Sequence, residues 1–229
     1  NSKKRYLSLL TICSMLLVMN CRAPVKPTEE DLADYGWVIY EEGDYEEARE
    51  WFRDALKKDP IYADGYNGLG WCFGKLHQAD SAVHYFAIAD SLEYDPFITP
   101  DLTLDVYAGF TFAYNALTQD TLVREYAGYF FGNQNVAEEG NWTFSHEPKI
   151  NHLDVLIIRA LAEFSMGYFQ LSIESLEEIY RDMGVPKDVD VDYNTVVGRS
   201  ELAAELEYVQ SGRKKTPFFR ARKSIAGLL

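Results

Sequence analysis

The chain has 229 residues, of which 47% are hydrophobic and 25% charged, and its formal net charge is −14 at pH 7. This length and hydrophobic content suffice for a buried core and exclude an intrinsically disordered chain. The acidic balance argues against nucleic-acid binding through a basic face and against electrostatic attraction to an anionic membrane.

The N-terminal residues have the features of an export signal. Basic residues at positions 3–5 precede an apolar run at positions 6–19. This run is shorter than the roughly 20 residues that a membrane-spanning helix needs. We therefore interpret it as an export signal rather than a transmembrane helix.

The apolar run leads into the motif Leu17-Val18-Met19-Asn20-Cys21. This motif resembles the lipobox of bacterial lipoproteins, although that family prefers a small residue at the position of Asn20. The resemblance implies that residues 1–20 are a lipoprotein signal peptide, that Cys21 carries the lipid anchor, and that residues 21–27 are a tether. The alternative is an uncleaved or differently cleaved signal in which Cys21 is incidental.

The residues after the cysteine bear on location. Arg22 stands where an Asp would signal inner-membrane retention in enterobacteria, and two prolines favour an extended tether. By this analogy we expect the chain at the periplasmic face of the outer membrane, with the inner membrane as the alternative.

Small and large residues recur with a period of about 34 from Thr28 onward. The first copy comprises Leu32, Tyr35, Gly36, Ile39, Gly43, Tyr45, Ala48, Phe52, Ala55 and Pro60, and the second comprises Tyr66, Leu69, Gly70, Phe73, Ala82, Phe86 and Ala89. The pattern resembles the tetratricopeptide repeat (TPR) family, whose repeats are pairs of antiparallel helices. We expect the helices to approach closely at small residues, with Phe52 and Phe86 filling the space between hairpins. Those small residues are Gly36, Ala48, Gly70 and Ala82.

The first repeat also carries helix-boundary signals. Thr28 with Asp31, and Asp44 with Glu47, are predicted N-cap pairs for its two helices. Pro60 is predicted to end the second helix at the residue before it.

Two further hairpins are predicted later in the chain. Residues 102–117 and 121–131 form the third, whose second helix is expected to pack through Leu122, Tyr126 and Phe130 and to leave the consensus register. Residues 132–150 form a polar loop, which at this length is usually functional or disordered. A fourth hairpin resumes at His152, and a helix at 200–210 is expected to cap the array.

Together these elements predict an all-α fold. It is an α-solenoid of antiparallel helical hairpins, with about four TPR-like repeats plus a C-terminal capping helix, in one domain at 28–211. Residues 212–229 form a basic tail on an acidic body. Folding back on the body, contact with anionic lipid, partner binding and a flexible tail all stay open for it.

Catalytic and metal-binding motifs are poorly represented. The sequence has no phosphate-binding Gly-rich loop, nucleophile elbow or zinc-protease pair. The acidic run at 188–192 imitates a calcium loop, but Tyr193 and Arg199 stand where that loop needs Gly and Glu. We therefore expect no enzyme activity, no metal and no cofactor.

The TPR resemblance also implies a binding surface, because the first helix of each hairpin lines the concave groove in that family. The residues carried over to the groove are Trp37, Tyr40, Asn67, Trp71, Lys75, Phe110, Tyr114, Leu161 and Phe164. The alternative is that half of the aromatic ones belong to the core between repeats. The set lacks the basic cluster of chaperone-binding TPRs, so a chaperone tail is an unexpected ligand.

Two classes of function follow from these predictions. The favoured one is a scaffold lipoprotein that binds a protein or peptide partner through the aromatic groove. The alternative is a lipoprotein that captures a small ligand or glycan in the same groove. The sequence does not specify the partner or the oligomeric state.

Overall fold

The computed structural model describes residues 26–132, apart from Pro96, Ile98 and Pro100, and residues 142–212. The predicted signal peptide, the lipid-anchor residue Cys21 and positions 213–229 of the tail lie outside the described residues. Within the described ranges the chain forms nine α-helices and no strand. They are α1 (Glu29–Glu42), α2 (Tyr45–Lys58), α3 (Ala63–Lys75), α4 (Ala79–Ser91), α5 (Leu102–Ala116), α6 (Asp120–Gly132), α7 (His152–Ser165), α8 (Phe169–Asp182) and α9 (Val196–Gly212).

The helices pack in succession as a solenoid. Each of the pairs α1–α2, α3–α4, α5–α6 and α7–α8 packs together, and the second helix of one pair packs on the first helix of the next. The first helices α1, α3, α5 and α7 also contact one another in that order. The predicted all-α solenoid is confirmed. No described helix is both long and apolar enough to cross a bilayer.

The predicted boundaries of the first repeat are also confirmed. The Thr28 hydroxyl accepts the backbone N–H of Asp31, whose carboxylate accepts the N–H of Thr28 in return. The Asp44 carboxylate accepts the N–H of Glu47 at the start of α2. Between these helices Gly43 has φ +90°, a left-handed conformation that glycine adopts without strain.

Two fully buried phenylalanines are clamped between glycines of successive hairpins. A Cβ atom added at Gly68 would lie 2.3 Å from the Phe52 ring, and one at Gly36 would lie 3.0 Å from it. Phe86 has the same surroundings one repeat later, since a Cβ at Gly70 would lie 2.5 Å from its ring. Only hydrogen at these positions lets the helices approach this closely, as the repeat pattern predicts.

The third hairpin keeps the repeat register, contrary to the prediction from its residue sizes. Val123, Ala127 and Phe130 are fully buried at the places in α6 that Ala48, Phe52 and Ala55 occupy in α2. Leu122 and Tyr126 are only half-buried. Large and small residues have exchanged places along one buried stripe, so volume is conserved while the consensus order is lost.

The described core consists of two clusters. The first joins α1 to α6 and also contains Trp142, Phe144 and Ile150 from the segment before α7. The second joins α7 and α8 to α9, through Leu202, Leu206 and other residues of the last helix. This last helix begins at Val196, earlier than predicted, and covers α7 as a cap.

Candidate functional site

The surface formed by the first helices α1, α3 and α5 is covered by the chain itself. Residues 142–151, here called the covering segment, form a compact turn immediately before α7. Within it the Phe144 N–H donates to the Ile150 carbonyl at 3.0 Å, and the Ile150 N–H donates to the Glu147 carbonyl at 2.8 Å. The N–H of His152 donates to the Trp142 carbonyl at 3.0 Å and closes the turn.

Aromatic side chains of the covering segment stack on aromatic side chains of the helices. The Phe144 ring lies parallel to Trp71 of α3, with ring centroids 3.8 Å apart. The His146 ring lies parallel to Trp37 of α1, with centroids 3.9 Å apart and planes 2° apart. Phe144 is fully buried. The faces of both tryptophans are therefore occupied.

Polar groups on the same surface pair with the covering segment. The Trp142 indole N–H donates to Asp105 of α5 at 3.0 Å, in a buried hydrogen bond. Lys75 of α3 forms an ion pair with Glu147, and the Lys75 side chain is only 2% exposed. One segment of ten residues thus contacts three successive hairpins. Its ends are close together, so it lies on the surface as a loop rather than as an extended strand.

The surface beneath the segment contains an unusual number of buried ionisable groups. The carboxylate of Asp64 accepts the Trp37 indole N–H at 2.8 Å and the Asn67 amide at 3.3 Å. Burial raises the pKa of Asp64, and it raises the pKa of Asp105 well above the usual value. Burial lowers the pKa of Lys75. The Glu147 carboxylate partly offsets this effect, because its hydrogen bond and charge favour the protonated ammonium. We call Trp37, Asp64, Trp71, Lys75 and Asp105 the groove floor.

Comparison with known families decides what this architecture is. Residues 36–76, from the middle of α1 to the end of α3, match the family model described as TPR repeat. The chain therefore contains a tetratricopeptide repeat at these residues. No curated protein matches the chain.

The groove residues predicted from the sequence fall into two groups. Trp37, Tyr40, Asn67, Trp71 and Lys75 share one surface on α1 and α3, but each is at least nine-tenths buried. The covering segment and neighbouring side chains fill the space above them. Whether they bind a partner stays a prediction.

The remaining predicted residues do not join that surface. Phe110 stacks on Tyr126 of α6 at 4.2 Å and on Tyr114 at 5.7 Å, so it lies between the helices of the third hairpin. Leu161 and Phe164 are buried in the second core cluster. Phe110, Tyr114, Leu161 and Phe164 thus pack against the core, as in the alternative given for the aromatic groove residues. The helix face at their positions turns toward the next helix of the array.

Sequence reasoning missed Asp64, Asp105 and the covering segment. One signal was available for the segment, since Trp142 and Phe144 are two large aromatic residues in a loop otherwise rich in polar residues. Aromatic side chains of this size are seldom placed in a solvated loop without a buried contact.

Nothing in the described structure indicates a catalytic or metal centre. Within residues 26–132 and 142–212, apart from Pro96, Ile98 and Pro100, no group of three or more His, Cys, Asp or Glu side chains could hold a metal ion. Cys72 is buried, and burial raises the pKa of its thiol, which makes it a poor nucleophile at neutral pH. The TPR repeat is typical of scaffolds that bind other proteins.

Proposed function

We propose that this TPR protein is a membrane-anchored scaffold whose groove floor binds a peptide segment of a partner protein. The observation that carries the proposal is that the floor already holds a peptide segment. Stacked aromatic rings, a buried indole hydrogen bond and a buried ion pair hold that segment in place. These are the contacts by which rigid grooves select peptide side chains.

The same geometry favours a peptide over a glycan as the ligand. The faces of Trp37 and Trp71 stack on the side chains of a peptide segment, His146 and Phe144. The floor also pairs a lysine with a carboxylate, which a neutral sugar does not carry.

Site-specific photocrosslinking tests the binding surface. Glu41 lies on α1 beside His146 with its side chain 50% exposed, and Tyr208 lies on α9 with 66% exposure. We expect benzoylphenylalanine in place of Glu41 to form an adduct with a partner protein in intact cells. The same probe in place of Tyr208 serves as the matched control. Equal adducts at both positions, or none at position 41, would reject the groove floor as the binding surface.

We further propose that Cys21 anchors the protein to the outer membrane from its periplasmic face. The support is the Leu17–Cys21 motif in the sequence. Cys21→Ser is expected to move the protein from the membrane fraction to the soluble fraction and to abolish labelling by radioactive palmitate. Cys13→Ser, in the apolar run before the motif, is the matched control and should leave both unchanged. Continued labelling of Cys21→Ser would refute the anchor, and density-gradient separation of membranes tests the outer location.

A further inference from the structure

We infer that the covering segment is a displaceable internal ligand, and that the groove floor accepts from a partner protein a segment of the same chemistry. That segment carries two aromatic side chains two positions apart and a carboxylate three positions later, as Trp142, Phe144 and Glu147 do. The inference rests on the proposed function and names the kind of partner that it requires.

The composition of the groove floor separates it from an ordinary core. Asp64, Asp105 and Lys75 are each at least nine-tenths buried beneath or beside the segment. Burying an ionised group costs free energy, which its partners only partly restore. When the segment leaves, water reaches these groups and that cost is recovered. The segment is therefore held less firmly than the burial of Trp142, Phe144 and Ile150 alone would suggest.

The covering segment can detach from the groove floor as a unit. Its backbone hydrogen bonds from Phe144, Glu147 and Ile150 all close within the segment, so they survive when it moves away from the helices. Its identified contacts with the floor come from side chains: the Trp142 indole, the Phe144 ring, the His146 ring and the Glu147 carboxylate. A partner segment that presents the same groups replaces these contacts one for one.

The chemistry of each contact restricts what a partner can present. The Asp105 carboxylate accepts an N–H from an aromatic ring, which tryptophan and histidine can donate, and the side chain that donates it here is the Trp142 indole. The Trp71 face needs a flat ring that can stack on it. The Lys75 ammonium, shielded from water by its surroundings, needs a carboxylate. The predicted recognition pattern is therefore Trp, any residue, an aromatic residue, any two residues, and Glu or Asp.

Hydrogen exchange on the unaltered full chain gives the first test. If the segment opens on its own, the indole N–H of Trp142, which donates to Asp105 across the interface, has a protection factor at least tenfold smaller than amides in the middle of α3, and its exchange rate depends little on urea. If this N–H is protected as strongly as the α3 amides and with the same urea dependence, the segment is a permanent part of the core. That result overturns the inference.

A peptide titration gives the second test. The probe is a fluorescently labelled peptide with the sequence of residues 142–152, and its control is the same composition in scrambled order. Because a groove that is open for less than a tenth of the time weakens the apparent affinity more than tenfold, Phe144→Ala should bind the probe at least tenfold more tightly than the unaltered chain. Phe97→Ala, which removes a ring that is 96% exposed, should bind as the unaltered chain does.

The floor itself is tested in the opened variant. Adding Lys75→Met to Phe144→Ala should weaken probe binding at least fivefold, and a probe carrying Glu147→Gln should be weakened similarly. Equal affinity in the unaltered chain, Phe144→Ala and Phe97→Ala would overturn the inference. So would a dimer, seen by light scattering, that the probe converts to monomer, because the occupant would then be a second copy.

The two proposals fail differently. A segment that never opens, combined with a specific adduct from position 41, ends the internal-ligand inference and moves the scaffold's binding surface from the groove floor to the exposed face near Glu41. An opening segment without any adduct from position 41 ends the scaffold function at this surface.

Discussion

The clamp around Phe86 gives a prediction whose magnitude follows from the structure. A Cβ atom added at Gly109 in α5 would lie 2.3 Å from the tip of the Phe86 ring. The ring cannot retreat, because Gly70 also approaches it, at Cδ1 and Cε1, and the ring is fully buried. Overpacking a filled core costs about 1–3 kcal/mol, and a contact this short belongs in the upper part of that range. Alanine regains about 1 kcal/mol through its helix propensity.

Gly109→Ala should therefore lower the free energy of unfolding by about 1–2 kcal/mol net. For a chain of this length that corresponds to a melting temperature lower by about 2–8 °C. Urea unfolding followed by circular dichroism measures the change. Gly128→Ala is the matched control, since a Cβ at this exposed position in α6 meets nothing within 4 Å; it should stabilise the chain by about 0.5–1 kcal/mol. If both substitutions shift stability in the same direction, the clamp does not constrain the repeat stack.

Three other predictions concern the caps and the groove floor. Gly43→Ala should destabilise the chain by about 1–2 kcal/mol in urea unfolding, because its φ of +90° strains any L-residue. Lys75→Met should cost about 1–3 kcal/mol because it leaves Glu147 unpaired, and adding Glu147→Gln should recover much of this in a double-mutant cycle. The pKa of Asp105 is higher in the folded chain than the unfolded value near 3.8, so the folded chain binds more protons and gains stability as the pH falls from neutrality toward 3.8. When the pH is lowered from 7 to 5, the urea midpoint of Asp105→Asn should therefore rise less than that of the unaltered chain. An equal rise in both would mean that other groups cause the pH dependence.

The hairpins of the first two repeats could be predicted because each one depends on local signals. Gly36 and Gly70 mark close helix contacts, Thr28 and Asp44 supply caps, and Phe52 recurs as Phe86 one period later. Such signals act within about one repeat, and nearest-neighbour packing is what a solenoid is made of. The predictions from the sequence therefore agree with the structure where the contacts join residues that are close in the chain.

The third hairpin shows where that reasoning stops. Its buried stripe has Val123 and Ala127 where the consensus order has a small residue followed by a large one. A pattern defined by residue identity does not recognise this exchange, although the packed volume is preserved. The match to the family model also ends at residue 76, before this hairpin begins.

The groove floor could be predicted only in part, because its occupant lies far away in the sequence. Trp37 and Trp71 share one surface, as their positions in the first helices predict. Their contacts with His146 and Phe144 join residues separated by more than seventy positions, and no local pattern specifies such a pairing. Phe110 packs on Tyr126 of α6, which could not be predicted because the repeat register does not say which neighbouring helix a large ring contacts.

The covering segment also changes how the protein should respond to force. An array in which each repeat contacts only its neighbours can bend and stretch elastically. Here a single loop bridges Trp37 on α1, Trp71 on α3 and Asp105 on α5, so while it is in place it acts as a strut that limits changes in the curvature of the first three hairpins. The helices α7 to α9 have a separate core and lie beyond this strut. A pull on the two ends should strain the junction of α6 and α7 first, which leaves the braced part stiff.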